Sequence, residues 1–393
     1  MANSALSLYV HLPFCNTVCY YCGCNKVITK DRSKSAEYAG YIAREADLVL
    51  EHLTGSRTIE QLMEVLTTRF PLAEKGEFSI EVDPRTTPPD KVETLGRLGF
   101  NRISVGVQDF NPDVQKAVNR LQSFEMTQAT VDAARANGFK SINLDLIYGL
   151  PKQNRETFAE TLDKVMVLSP ERIALYHYAH LPDRFKPQRR INSEDVPSSA
   201  EKMKIMLDAI KRLTAAGYQY IGMDHFAKAS DDLAKAQRQG RLHRNFQGYS
   251  TRPDCDLVGL GVSSISKIGP TYSQNVRTLE EYYDILKQGM LPTVRGIVLD
   301  RDDILRRAVI MALMCHFEVS KEAIETTYMI KFDEYFKTEL AALKQFEDEG
   351  LAENSAEWVN VTPRGKLLVR AIAMQFDRYL RSDERQRRYS KIA

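Results

Sequence analysis

The sequence has almost no excess of either charge: 54 basic and 52 acidic residues leave a net charge of +2 over 393 residues. So even a balance gives no electrostatic reason for nucleic acid or an anionic membrane as the main partner. No apolar run approaches the ~20 residues of a spanning helix. The opening "MANSALSLYVHLPF" has neither a basic n-region nor a long apolar core. A cytoplasmic, soluble monomer is expected, with no nucleic acid and no membrane among its partners. Cysteine is scarce as well, and six in a chain this long do not frame a disulfide scaffold. The remaining composition, 43% hydrophobic and 27% charged, is ordinary and supplies core for one large α/β domain with an appendage.

Those six cysteines are unevenly placed. Four of them, Cys15, Cys19, Cys22 and Cys24, lie in the stretch "HLPFCNTVCYYCGCNK", so they are metal-binding, catalytic or incidental. The stretch follows "LSLYVHL" (6–12), which reads as a β-strand. Further strand signals follow at "FSIEVD" (78–83), "NRISVGVQ" (101–108), "SINLDLIYG" (141–149), "RIALYHYA" (172–179) and "YQYIGMDHFA" (218–227). Amphipathic helical runs separate them, and Gly99, Gly138 and Gly217 each stand at a helix end just before a strand. Apolar strands alternating with helices predict parallel βα units closed, or partly closed, into a TIM-like barrel.

The polar residues gather at the carboxyl ends of these strands, where such barrels keep their active sites. They are the cysteines, then Glu81 and Asp83, Gln108 and Asp109, Asp145, His177, Tyr178 and His180, and finally Asp224 and His225. Any one of them passes as an ordinary loop polar; the set does not. From about residue 300 the strand signals stop. Three helical runs, then "WVNVTPRGKLLVRAIAMQFDRYL" as a short strand, a turn and a long helix, predict a winged-helix-like unit. The expected division is therefore a barrel over 1–295 and a C-terminal helical domain over 296–393. The basic end "RQRRYSKIA" reads as a solvated tail.

Structural zinc prefers two CxxC-like pairs from separate loops, and no second pair occurs downstream; Cys255 and Cys315 stand alone. A thioredoxin-type pair needs only two cysteines and opens a helix. Three cysteines spaced CxxxCxxC suit a cubane, holding three irons and leaving the fourth free for a ligand. In this form, directly after a strand, the motif resembles the radical S-adenosylmethionine superfamily. The longer signature "LYVHLPFCNTVCYYCGCNK", with "SIEVDPR", "NLDLIYGLPKQ", "GMDHFA", "LHRNFQGY" and "GLGVSSIS", resembles the oxygen-independent coproporphyrinogen III oxidases over nearly the whole chain.

The resemblance implies a 4Fe-4S cluster on Cys15, Cys19 and Cys22, with Cys24 a catalytic cysteine outside the ligand set. It implies S-adenosyl-L-methionine contacts at Tyr9, Tyr21, Glu81, Gln108, Arg120 and Asp145, and at Ala179 and Ile265 through backbone or apolar surface. A ribose diol wants a carboxylate acceptor and a sulfonium amino acid wants paired charges, so these residue types suit the ligand. The implied reaction is oxidative decarboxylation of two propionates of coproporphyrinogen III to vinyl groups in haem biosynthesis, with a one-electron donor protein as partner. Four substrate carboxylates call for a basic mouth, with Arg120, Arg244 and Lys152 as candidates.

One segment departs from the family pattern. There, a second strand ends in a Gly-Gly-Gly-Thr-Pro turn that holds the methionine amino group. Here "LVLEHLTGSR" runs into "TIEQLMEVLTTRF", helix to helix, and no glycine turn occurs between 30 and 77. About fifteen to twenty residues, one strand plus its loop, are expected to be absent near residue 57, as is the family's N-terminal extension. Two other readings therefore stand beside the enzyme. One is a haem-binding chaperone of the same superfamily, disfavoured by the presence of "CGC" and "HRNFQGY". The other is an inactive truncated relative that keeps the cluster.

Overall fold

The computed structural model describes residues 6–31, 33–50, 63–64, 66–68, 70, 73, 76–252 and 255–380. The Thr-Gly-Ser turn at 54–56, the segment around Arg57 and the basic tail lie outside the described residues. Strand β1 (Leu6–Val10) leads into two short strands, β2 (Phe14–Cys15) and β3 (Val27–Ile28), that pair in parallel and bracket the cysteine loop. Helix Ser33–Leu50 follows. Then β4 (Ser79–Val82), β5 (Arg102–Gln108), β6 (Ser141–Tyr148) and β7 (Arg172–His177) pair in parallel in that order, with helices between them. These are the expected βα units. Gly99, Gly138 and Gly217 have φ of 92°, 77° and 88°, the left-handed conformation a helix C-cap glycine supplies.

The run at 218–227 differs from the single strand expected. It folds as a hairpin of β8 (Tyr218–Gly222) and β9 (His225–Lys228), and β9 pairs antiparallel with β7. Gly222 and Met223, at φ 142° and 51°, reverse the chain there. Two more hairpin strands, β10 (His243–Asn245) and β11 (Gly248–Ser250), carry "HRNFQGYS". Strands β12 (Asp256–Leu260), β13 (Ile265–Ile268), β14 (Thr271–Asn275) and β15 (Thr293–Val298) form a second sheet on which β1 is the outermost strand, parallel to β12.

The barrel is therefore two sheets, β4-β5-β6-β7-β9-β8 and β1-β12-β13-β14-β15. Among the described residues, β1 and β4 are each the end strand of their sheet, with no further strand paired beside them, so the two sheets meet at a seam of open edges. A buried strand edge leaves peptide groups without ladder partners.

The C-terminal unit is not strand-free. Helices Arg301–His316, Lys321–Tyr328 and Lys337–Asp348 are as expected. They pack with a three-stranded sheet in which β18 (Trp358–Val361) lies between β16 (Glu318–Ser320) and β17 (Ala352–Asn354). The long final helix is instead a 3₁₀ turn, Gly365–Leu368, and a short helix, Val369–Met374. Its own core includes Leu313, Phe332, Phe336, Val359 and Phe376.

One buried carboxylate joins helix Ser33–Leu50 to the β1 sheet. Glu45, 2% exposed, accepts from the Gly261 amide (2.6 Å), the Tyr282 hydroxyl (2.5 Å) and the Asn275 side chain. Burial pushes its carboxyl up to about 7 against the opposing pull of those three donors. Truncating it leaves the buried Gly261 amide and Tyr282 hydroxyl unmatched, while Asn275 keeps the Gly261 carbonyl and Ser264 hydroxyl as acceptors. Glu45→Ala is expected to cost about 2–4 kcal/mol, read as a fall in urea stability. A stability within about 0.5 kcal/mol of the parent would show that the two donors find other acceptors.

Candidate active site

The cysteine loop is anchored from below and covered from above. Tyr20 N–H donates to the Val118 carbonyl (3.0 Å), and the Asn119 side chain donates to the Val18 carbonyl (2.9 Å). These bonds hold the loop on the turn after β5 and its helix. Gln188, 2% exposed, clamps it from the other side. Its Nε2 donates to the carbonyls of Tyr21 (3.1 Å) and Ala179 (3.2 Å), while its Oε1 accepts from the Leu181 amide (2.6 Å). The Phe185 ring packs over Gly23 in the same segment. Tyr21 and Ala179, far apart in sequence, thus share one location, and the residue that joins them was not among those expected.

Cys15 lies within electrostatic reach of Cys19 and Cys22. Burial first, then the neighbouring Cys22 and Cys19, raises the Cys15 thiol. The Cys24 thiol is hydrogen-bonded to Cys22, which pulls Cys22 down to about 5 and raises Cys24 itself. Among the described residues, no three His, Cys, Asp or Glu side chains converge tightly enough to hold a single ion. A cubane has no such need, because each thiolate takes a separate corner. Three thiols in one neighbourhood on one loop fit that group.

Asp83, at the end of β4, connects this loop to the sheet. Its carboxylate receives Arg85 at 2.6 Å and Arg120 at 3.1 Å. The same two arginines reach the Cys19 sulfur at 3.3 and 3.6 Å. Burial alone would raise the Asp83 carboxyl; the Arg85 hydrogen bonds and the Arg120 charge outweigh it and hold the group below its usual range. Arg120 also donates to the Gly106 carbonyl (2.6 Å). A Cβ on Gly106 would meet Gln108 Nε2 at 3.0 Å and Arg120 Nη2 at 3.1 Å, so glycine leaves room for both side chains. Arg85 stands within "SIEVDPR" without an expected role; its position two residues after a strand-end aspartate is the available signal.

A polar row crosses the sheet beside them. The parallel register sets Glu81 opposite Ser104 and Ser104 opposite Asn143. Ser104 and Asn143 each donate to Asp145 at 2.8 Å. Burial, and then the Glu81 charge, pushes Asp145 up to about 7, while burial raises Glu81. Across the seam, Tyr9 lies within electrostatic reach of Glu81 and Cys24, and burial with both pushes its hydroxyl up to about 12. Its ring meets Phe246 edge-on at 5.3 Å. Tyr9 pairs in register with Gly259, and a Cβ there would lie 2.6 Å from the Ile265 carbonyl oxygen, so Tyr9 and Ile265 flank Gly259 from the two neighbouring strands. Tyr9, Cys24, Glu81 and Asp145 are thus linked by electrostatic reach, and Tyr21 and Ala179 by the Gln188 clamp; the Lys152 amide instead bonds the Asp195 carbonyl (2.7 Å).

Two raised carboxyls side by side make a site that disfavours its own negative charge. Since the folded Asp145 value is raised from 3.8 to about 7, its contribution to stability is present at low pH and lost as pH climbs through that window. The ligand-free protein is expected to lose stability between about pH 4 and 7, and Asp145→Asn to flatten that slope in denaturant titrations. An unchanged slope would assign the dependence to other groups.

The chain is similar to known proteins over nearly its whole length. A family model described as the radical SAM superfamily matches residues 9–165, and one described as the HemN C-terminal domain matches residues 299–368. The oxygen-independent coproporphyrinogen III oxidase of Pseudomonas aeruginosa is 49% identical over 100% of this chain and 89% of its own length. The protein of that name from Escherichia coli is 45% identical over 98% of this chain and 88% of its own. A solved structure, the E. coli coproporphyrinogen III oxidase (HemN), described as a radical SAM enzyme, superposes with a TM-score of 0.91 at 44% identity, covering 96% of this chain and 91% of that one. The P. aeruginosa alignment runs over 411 positions against 393 residues here, so that relative carries at least 18 positions with no counterpart in this chain. The chain belongs to the oxygen-independent coproporphyrinogen III oxidase family of radical S-adenosylmethionine enzymes.

Proposed function

We propose that this chain is the enzyme that converts two propionates of coproporphyrinogen III to vinyl groups without oxygen, giving protoporphyrinogen IX. The observation that carries the reading is the meeting of the three-thiol loop with the Glu81–Asp145 row at one barrel mouth. The named relatives support it along the full length.

When bound, the cluster and S-adenosylmethionine supply the one-electron chemistry and the hydrogen abstraction at the propionate. The chain's part is to hold and orient. Cys15, Cys19 and Cys22 take three corners of the cluster, and Arg85 and Arg120 offset the charge on Cys19. Glu81 accepts from the ribose diol. Asp145, Gln108 and Arg120 offer polar contacts, Tyr9 and Tyr21 pack the ligand, and Ala179 and Ile265 contribute backbone and apolar surface. Cys24, exposed and beside Cys22, Glu81 and Tyr9, is the catalytic thiol. The buried walls of the mouth keep water from the reacting centre.

The division into a barrel and a C-terminal unit belongs to this proposal, supported by the separate core of the C-terminal unit, but β15 (Thr293–Val298) pairs with β14 through Val298 and moves the boundary past the expected 295/296. A one-electron donor protein, a monomeric state, a cytoplasmic location and the absence of nucleic-acid or membrane partners belong to it too. Among the described residues, no helix is long and apolar enough to cross a membrane.

The seam between β1 and β4, with the positions missing relative to the P. aeruginosa protein, favours a second reading in which the cluster is kept and turnover is lost. Two measurements separate the readings. Anaerobically reconstituted protein is expected to bind about four irons and absorb broadly in the visible. Cys15→Ala, Cys19→Ala or Cys22→Ala removes that absorbance, whereas Cys24→Ala keeps it and loses turnover. Iron loss in Cys24→Ala, with retention in one of the other three, would overturn the ligand assignment.

The second measurement concerns S-adenosylmethionine. Glu81 and Asp145 hold the nucleoside side, but the methionine ammonium lacks the carbonyls of a glycine turn. An unpaired buried ammonium costs several kcal/mol, at about 1.4 kcal/mol per tenfold in affinity. The chain is expected to bind S-adenosylmethionine at least about a hundredfold more weakly than a version with a strand and Gly-Gly-Gly-Thr-Pro turn inserted after Arg57. Anaerobic calorimetry of both proteins reads the difference, and equal affinities would mean another loop supplies the acceptor.

A further inference from the structure

The arginines around the barrel are mostly committed. Arg85 and Arg120 are held by Asp83. Arg102 and Arg172, at the opposite ends of their strands, are held by Asp231, with Glu77 and Asp232 also on Arg102. Arg244 is different. It lies half-buried on β10, forms no ion pair among the described residues, and has a buried Nε without a hydrogen-bond partner. Its guanidinium lies 5.5 Å from the centre of the Tyr249 ring. Its charge is felt by Tyr176 and His225 on the inner strands and by Asp224 in the turn between β8 and β9.

The hairpin bearing Arg244 is fixed in place by the C-terminal unit. The Tyr249 hydroxyl donates to the Met314 carbonyl (2.9 Å, buried), and Leu242 and Tyr249 share a core with Cys315. Phe246, at the hairpin tip, carries the same element across to Tyr9. Arg244 is thus a rigidly mounted cation beside the proposed cofactor residues. A guanidinium suits a carboxylate because it offers two parallel N–H donors, which a lysine does not.

We propose that Arg244 is the anchor for one propionate carboxylate of the tetrapyrrole substrate, with the C-terminal unit acting as the mount that aims it. This deepens the proposed function and rests on its substrate class. The competing account is that Arg244 only offsets the charge of nearby Asp224, which would be left uncompensated if the arginine were removed.

The test uses the full chain, reconstituted anaerobically, and fluorescence titration with coproporphyrin III, the stable oxidised tetracarboxylate, and with its tetramethyl ester in the same buffer. Arg244→Gln is expected to weaken binding of the acid about tenfold and leave the ester unchanged, with Arg244→Lys between the two. In the Arg244→Gln background, Asp224→Asn should restore nothing. Equal losses for acid and ester, no loss for either, or rescue by Asp224→Asn would overturn the anchor. Turnover of coproporphyrinogen III by the parent protein is read separately. Arg244-dependent binding of the acid without turnover keeps the anchor and removes the decarboxylation reading.

Discussion

The Asp83 carboxylate between Arg85 and Arg120 is the constraint on which the site depends. Three loops meet there: the end of β4, the cysteine loop through the Cys19 sulfur, and the turn after β5 through Arg120. Either arginine alone would leave a charge in a half-buried place without enough compensation. Together they let the carboxylate stay ionised and let two cations approach a thiol that carries negative charge when it ligates metal. The polar row of Glu81, Ser104, Asn143 and Asp145 is aligned by the same strands, so the cysteine loop and the carboxylate row share one frame.

The parts of this arrangement legible in the sequence were those written locally. The cysteine spacing, the parallel strands β4 to β7 and the glycines that end their helices are each set by a few consecutive residues, and the structure has them where expected. The strand-end polars were legible for the same reason, since parallel strands bring their carboxyl ends to one face. What stayed hidden depends on pairing across long stretches of chain. Strands β10 to β18 are three to six residues long, too short for a decisive period. The reversal at Gly222 and Met223 interrupts a run that otherwise alternates like one strand. Gln188 has no motif at all: its function is to match carbonyls at Tyr21 and Ala179 that only the fold brings together.

The seam between β1 and β4 joins these two observations. The local pattern showed a helix running to a helix where a strand was due, and the sheet order shows two neighbouring edges where a barrel would have none. Tyr9 still lies within electrostatic reach of Glu81 across that seam. The two sheets are therefore linked electrostatically across the seam by Tyr9 and Glu81, although neither β1 nor β4 has a further strand beside it.

The Glu45 junction has a consequence for how this sequence can drift. Its carboxylate is matched by donors from Gly261, Asn275 and Tyr282, while the Tyr38 hydroxyl donates to the His11 carbonyl and accepts from the Val262 amide. These groups come from opposite ends of the barrel-forming segment. Because one of those donors is the Gly261 backbone amide, replacing Glu45, Asn275 and Tyr282 together by apolar residues still strands a buried N–H. Descendants of this chain should therefore keep an acceptor at position 45, with the changes at 275 and 282 confined to those that leave it paired.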